Sequence, residues 1–185
     1  MRNSIRILSA LVLGLLAVVA LGIVNLAGGS QAAAATRKPQ DLTYNYGYVL
    51  SYPPAPSPQA TLHMAVTRFS TYFPFQGCGQ VLKAGQVCNL VGPNGNNPIR
   101  VVAIGPTSFT FLSLPGHFEG PNRTIVFSFI EQLQPIATHR LFLNVHASGP
   151  SSPGAVASVA TGQAHGTWQQ YATNLQRGIA SGAAR

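Results

Sequence analysis

Acidic side chains are nearly missing from this sequence. Asp41, Glu119 and Glu131 are the only carboxylates in 185 residues, against eleven lysines and arginines. Five histidines are scattered, and none shares ligand spacing with a carboxylate, so neither a metal nor a cofactor is expected. The single aspartate lies far from any candidate nucleophile, which leaves a Ser-His-Asp triad unsupported. Cationic runs are missing too. Arg37-Lys38 is the one adjacent pair, and no basic stripe with interleaved aromatics exists to hold a nucleic acid. Cysteine is limited to Cys78 and Cys88, ten residues apart with no histidine between them, which is neither a C-x-x-C motif nor a metal pair.

What is present starts at the amino terminus. Arg2 and Arg6 precede the uncharged run Ile7–Val24, and alanines follow up to Ala35. Residues 1–35 therefore read as a secretory signal, with an A-x-A site at Ala33–Ala35 and Thr36 as the mature terminus. The competing reading is an uncleaved anchor, because about 18 apolar residues just span a bilayer. Either way the two arginines hold the amino terminus inside, and the remainder is expected outside the cytoplasm. Membrane association is expected only through residues 7–24, if they are retained. With Arg2 and Arg6 set aside, nine basic residues face three acids, so the exported part stays basic. Outside the cytoplasm disulfides persist, and a Cys78–Cys88 bridge is the natural use of an isolated pair.

Residues 36–60 read as an extended lead-in. Within it Tyr44, Tyr46 and Tyr48 alternate as a first strand, and the proline-rich Tyr52–Pro58 interrupts pairing. Leu62–Phe69 fits a strand or a short amphipathic segment equally well. Phe73–Asn97, rich in glycine, proline and asparagine, reads as a loop or hairpin stapled by the cysteines. Residues 61–185 form the single domain. Four β-branched or aromatic runs follow, at Ile99–Ile104, Ser108–Leu114, Thr124–Ile130 and Arg140–Ala147. Links this short join antiparallel neighbours. After Pro153 the period changes, and Val156, Ala160, Ala164, Trp168, Tyr171, Leu175 and Ile179 recur as one stripe of a long helix with Ser152 as its cap. The predicted fold class is α+β, an antiparallel meander packed on a long carboxy-terminal helix.

That order resembles the helix-grip architecture of the Bet v 1/START-like superfamily, whose members often enclose an apolar cavity. More locally, Pro98-Ile-Arg-Val-Val-Ala-Ile104, the run from Ser108 to Leu114-Pro-Gly-His-Phe-Glu119, and Arg123–Phe129 resemble an uncharacterised bacterial and plant domain family with a T-L-P-G-H-P-E motif. Phe118 stands where that family has proline, and Gly120–Arg123 replaces a second glycine with paired glutamates. The resemblance implies a fold and no settled activity.

Three functions are weighed. The first is non-catalytic binding of an apolar or lipid-like small molecule between sheet and helix, lined by Phe109, Phe111, Phe127, Phe129 and Trp168. The second is an enzyme in which His117 and Glu119 transfer protons, because a histidine held near a carboxylate can act near neutral pH. The third is a structural envelope protein without a ligand. Against the second stands a plainer role for the loop: Pro115-Gly116 suits the centre of a type II turn, with both ionisable groups exposed.

Overall fold

The computed structural model describes residues 40–133 and 139–184. The expected leader or anchor, residues 1–35, lies outside them. Among the described residues no helix is long and apolar enough to cross a membrane.

The alternating runs become strands because every second side chain leaves water. In β5 (Thr124–Leu133) Ile125, Phe127 and Phe129 are buried, and in β6 (His139–Ser148) Leu141, Leu143, Val145 and Ala147 are buried. The register pairs these sets: Ile125 faces Ala147, Phe127 faces Val145 and Phe129 faces Leu143. β4 (Ser108–Ser113) sets Phe109 against Phe127 and Phe111 against Ile125. A one-residue slip would turn all these side chains to the outer face, so burial fixes the register. β3 (Gly95–Ile104) extends the meander, and β2 (Val87–Gly92) pairs with it to make the hairpin expected near the cysteines. Numbered with β1 (Tyr44–Ser51), the antiparallel six-stranded order is β1-β6-β5-β4-β3-β2.

β1 forms where the alternating tyrosines predict a first strand. It pairs with β6 along most of its length, and Tyr44, Tyr48 and Leu50 are buried on the inner face. The undecided stretch Leu62–Phe69 is helical: α1 (Pro58–Thr67) and α2 (Phe69–Tyr72) carry it. Ser57 starts α1 by accepting from Ala60 N–H at 3.1 Å, and Pro58 occupies the first turn, where its missing donor costs nothing.

The carboxy-terminal helix is also different in detail. It is broken into α3 (Pro153–Ala160) and α4 (Gln163–Ala180). Ser152 caps α3 as expected, accepting from Ala155 N–H at 3.0 Å. Gly162 takes a φ of +72°, a backbone conformation that side chains disfavour, and the helical phase resets there. Ala164, Trp168, Tyr171 and Leu175 are buried as the stripe requires. Before the break the stripe fails: Val156 is 49% exposed, and Ala155 with Ser158 faces inward instead.

Between the sheet and α4 the space is filled rather than hollow. α2 and the residue after it insert Phe69 and Phe73, both buried, into the concave face. Phe73 packs on Phe111, Phe127 and Tyr171 with ring centroids 5.7, 5.8 and 5.0 Å away. Phe109 stacks on Phe127 at 4.7 Å, and Phe127 meets Trp168 edge-on at 5.0 Å. An aromatic cluster of this size stabilises beyond its buried area, by about 0.5–1.5 kcal/mol per well-oriented pair.

Cys78 and Cys88 are joined, both buried, with Cα atoms 4.9 Å apart. The bridge ties the irregular segment after Phe75 to the edge strand β2. Closing so short a loop stabilises by roughly 2–3 kcal/mol through the unfolded chain. Replacing both cysteines with serine is expected to lower the denaturation midpoint by an amount consistent with that loss, measured by urea unfolding beside the oxidised wild type. Equal midpoints, or two free thiols in the native protein, would refute it.

Candidate functional site

The loop between β4 and β5 starts with the expected turn. His117 N–H donates to Leu114 O at 3.1 Å across Pro115 and Gly116, and Gly116 has a φ of +95°. Beyond it the chain does not run out into solvent. Phe118 N–H donates to Asn97 Oδ1 at 3.1 Å, and Ser113 Oγ donates to Gly120 O at 2.7 Å, so the loop folds back onto β3 and β4. Glu119 is consequently only 6% exposed, and Arg123 is fully buried. The expectation of an exposed turn carrying both ionisable groups is corrected here.

Glu119 and Arg123 form a buried ion pair. Arg123 Nε donates to Glu119 Oε2 at 3.3 Å, and Nη1 donates to the carbonyls of Gly149 and Pro150 at 3.0 and 3.1 Å. The other carboxylate oxygen, Oε1, accepts from Ser158 Oγ at 2.8 Å. Ser152 Oγ adds a 2.7 Å bond to the Glu119 carbonyl. One acid and one base thus hold together the β4–β5 loop, the β6–α3 connection and α3. Nearby, Trp168 Nε1 donates to Tyr44 Oη at 3.3 Å, and burial pushes the Tyr44 hydroxyl up, reinforced by the Glu119 charge.

His117 and Glu119 meet differently from an acid–base couple. The contact is the Glu119 backbone N–H donating to His117 Nδ1 at 3.1 Å. That bond puts the ring proton on Nε2 and keeps the imidazole neutral. Burial lowers the His117 pKa to about 4, and the Arg123 charge pushes the same way. The Glu119 carboxylate is occupied by Arg123 and Ser158.

His117, Glu119 and Ser158 border a cavity of about 50 Å³ at one end of the sheet–helix interface. Phe73 and Phe75 form one wall, and Leu90, Asn97 and Ile99 of the β2–β3 hairpin another. Phe111 and Ile125 line its sheet side, while His117, Phe118 and Glu119 come from the loop. Ser158, Ala164, Thr167 and Trp168 close it from the two helices. Of the five aromatic residues expected to line a cavity, Phe111 and Trp168 do so. Phe109, Phe127 and Phe129 lie in the filled core at 0–1% exposure. Sequence reasoning missed Phe73, Phe75 and Phe118, whose segments are irregular and carry no period. It also missed Ser158, hidden by the assumption of one unbroken helix. The available signal for Arg123 was its place four residues after the loop's only acid. Among the described residues no cluster of histidine, cysteine, aspartate or glutamate is arranged to hold a metal ion.

Two outcomes follow from this geometry. Glu119→Gln leaves the buried Arg123 charge without its counter-charge, and is expected to cost about 3 kcal/mol or more in chemical denaturation. A loss below about 0.5 kcal/mol would show the pair to be dispensable. The second concerns pH. His117 binds its proton more weakly in the native state, at about pH 4, than in the unfolded chain, whose ordinary value is 6.5. Between these values the unfolded state holds more protons, so stability is full above 6.5 and falls as pH drops towards 4, on the order of 2 kcal/mol. His117→Asn keeps an acceptor near the Nδ1 position and cannot titrate. Its unfolding free energy should change less than wild type between pH 7 and 4.5, and parallel curves would sink the assignment.

No protein-family model and no curated protein matches this sequence. Similarity to solved structures is clear in shape. Norcoclaurine synthase of Thalictrum flavum, solved as a point mutant with a transition state analogue, superposes with a TM-score of 0.55 at 9% identity, covering 78% of this chain and 98% of that one. The protein XoxI of Bacillus cereus gives 0.51 at 13% identity, over 75% and 94% of the two chains. Aha1 of Colwellia psychrerythraea, solved as a dimer, gives 0.50 at 11% identity, over 76% and 96%. Identities this low speak to architecture alone: the chain is an α+β domain with the helix-grip fold, a six-stranded antiparallel sheet closed over a carboxy-terminal helix.

Proposed function

We propose that this domain binds a small apolar or lipid-like molecule outside the cytoplasm and performs no chemistry on it. The observation that carries the reading is the cavity beside Phe75, Phe111 and Trp168. Its walls are mainly apolar, and its ionisable groups are already engaged with the protein. A proton-transfer site needs a group free to exchange protons near the working pH. His117 is held neutral through its Nδ1 and Glu119 is locked in an ion pair, which favours recognition over turnover. Ligand sites usually combine apolar walls with a few placed polar groups, and His117 Nε2, Thr167 and Gln163 at this cavity suit that description. On the same architecture norcoclaurine synthase was solved in complex with a transition state analogue, so the fold itself accommodates a small-molecule site. The Cys78–Cys88 bridge agrees with an oxidising compartment.

The size of the cavity sets a condition. An engineered apolar cavity of about 150 Å³ takes up benzene, and this one is about 50 Å³. A ligand of that size or larger therefore enters only with movement of a wall. Phe75 and Phe118 are half-buried and lie in irregular segments, so they are the side chains to yield. The filled core elsewhere favours the structural reading to the extent that no ligand is found.

Native mass spectrometry of the exported protein is expected to show a co-purified apolar molecule. Ala164→Leu should fill the cavity, cost no more than about 3 kcal/mol of stability and abolish that occupancy. Phe127→Ala lies in the packed core, and is expected to cost about 3–5 kcal/mol while folded protein retains ligand. Reversed behaviour of the two variants would move the site back between sheet and α4. Turnover lost on the order of 100-fold in His117→Asn, with occupancy unchanged, would favour the enzyme. An empty wild-type protein would leave the structural role.

A further inference from the structure

Among the described residues, Val81, Val87, Val91 and Val102 are four of the seven large apolar side chains left exposed, at 45–59% exposure, and all come from one stretch of chain. Single exposed valines are ordinary, but a concentration of them marks a surface that meets something apolar. Their placement follows from the sheet. In β2, Cys88 and Leu90 point into the core, so Val87 and Val91 face away from the helices. Val87 is registered opposite Arg100 of β3, which is exposed, and Val102 follows two residues later. The loop before β2 runs beside them: Gly85 N–H donates to Val101 O at 2.7 Å, and Val101 N–H to Gln86 O at 2.8 Å. That loop carries the exposed Lys83, whereas Val81 sits beside Leu82, whose N–H donates to Val66 O of α1 at 2.8 Å, on the helix side. No acid offsets these cations. Glu119 is buried with Arg123, Asp41 bridges to Pro150 at the other edge of the sheet, and Glu131 lies seven residues along β5 from Thr124, which the register places on the rung of Arg100 through Leu112.

We infer that this corner, Val87 and Val91 with Lys83 and Arg100, is a docking surface for an anionic lipid bilayer. The two ingredients answer the two layers of such a surface. Cations are drawn by the negative headgroups, and exposed valines gain by leaving water at the headgroup boundary. A soluble polyanion would use the cations and leave the valines without a role, so the valines favour lipid. β2 is an edge strand held by the Cys78–Cys88 bridge and by the Gln76–Val91 pairing, so the surface is presented rigidly. Neither the cavity nor its occupant enters this argument.

Hydrogen–deuterium exchange of the full chain reads the corner locally, whatever the amino-terminal segment does. With vesicles of phosphatidylglycerol and phosphatidylcholine, residues 81–102 should gain protection, and with phosphatidylcholine alone they should not. Removing one cation, in Lys83→Ala or Arg100→Ala, should weaken the protecting vesicle concentration about fivefold. The effect should shrink as salt is raised. Val87→Ser should weaken it without changing the salt dependence. All three sites are exposed, and unchanged melting temperatures will confirm intact folds. Equal protection by soluble polyphosphate would overturn the lipid assignment in favour of a polyanion. Protection that grows with protein concentration in the absence of vesicles would overturn it in favour of edge pairing between two copies. Unchanged exchange with anionic vesicles would refute the surface itself.

Discussion

The buried pair of Glu119 and Arg123 is the interaction on which the arrangement of this domain depends. A guanidinium taken fully out of water carries a desolvation cost of several kcal/mol, tolerable only where its donors find acceptors and its charge finds a partner. Here Nε and Nη1 find the Glu119 carboxylate and the carbonyls of Gly149 and Pro150, while Nη2 is buried without a partner among the described residues. Those carbonyls belong to the turn into α3, and Ser158, one helical turn inside α3, completes the carboxylate. The pair therefore sets where the helix leaves the sheet. It also draws the β4–β5 loop inward, which brings His117 and Phe118 to the cavity instead of to solvent.

A second constraint is volume. A six-stranded sheet curved over one helix leaves a space that must be filled or remain as a cavity. In this chain α1 and α2 bring Phe69 and Phe73 into that space, and the stacked rings of Phe109 and Phe127 complete it. What stays open is a residual pocket where α3, α4, the hairpin and the loop converge without enough side chain to meet. Two of the polar groups around it, Glu119 and Ser158, are drawn from the network that fixes α3. Its chemical character is thus a by-product of how the helix is anchored, and this is why the ionisable groups there are quiet.

Much of the sheet was legible because burial on one face imposes a period of two. Ile125, Phe127 and Phe129 opposite Ala147, Val145 and Leu143 are readable as alternation before any pairing is known. The cysteine pair was legible by elimination, and the cap at Ser152 by residue type. The candidate site was legible only in part. Its loop stood out through Glu119, yet the pairing of that acid with Arg123 rather than His117 rests on the loop folding back onto Ser113 and onto Asn97, the latter twenty-one residues from Phe118. Phe75 and Ser158 gave no periodic signal, the first because it lies in an irregular segment and the second because Gly162 shifts the phase of the helix after it.

By itself, then, the sequence determined the strands of the central meander and the helical character of the carboxy terminus, the inward faces of those strands, their antiparallel order and the bridge available to two lone cysteines. These follow from local rules: alternation, capping, proline and glycine placement, and link length. Tertiary structure alone decided whether the grip was hollow or filled, which aromatic residues bordered the remaining space, and whether the loop's charges faced water. Each of those depends on volumes and partners brought together across more than twenty residues. A buried charge, unlike a strand, has no period by which it can be read in advance.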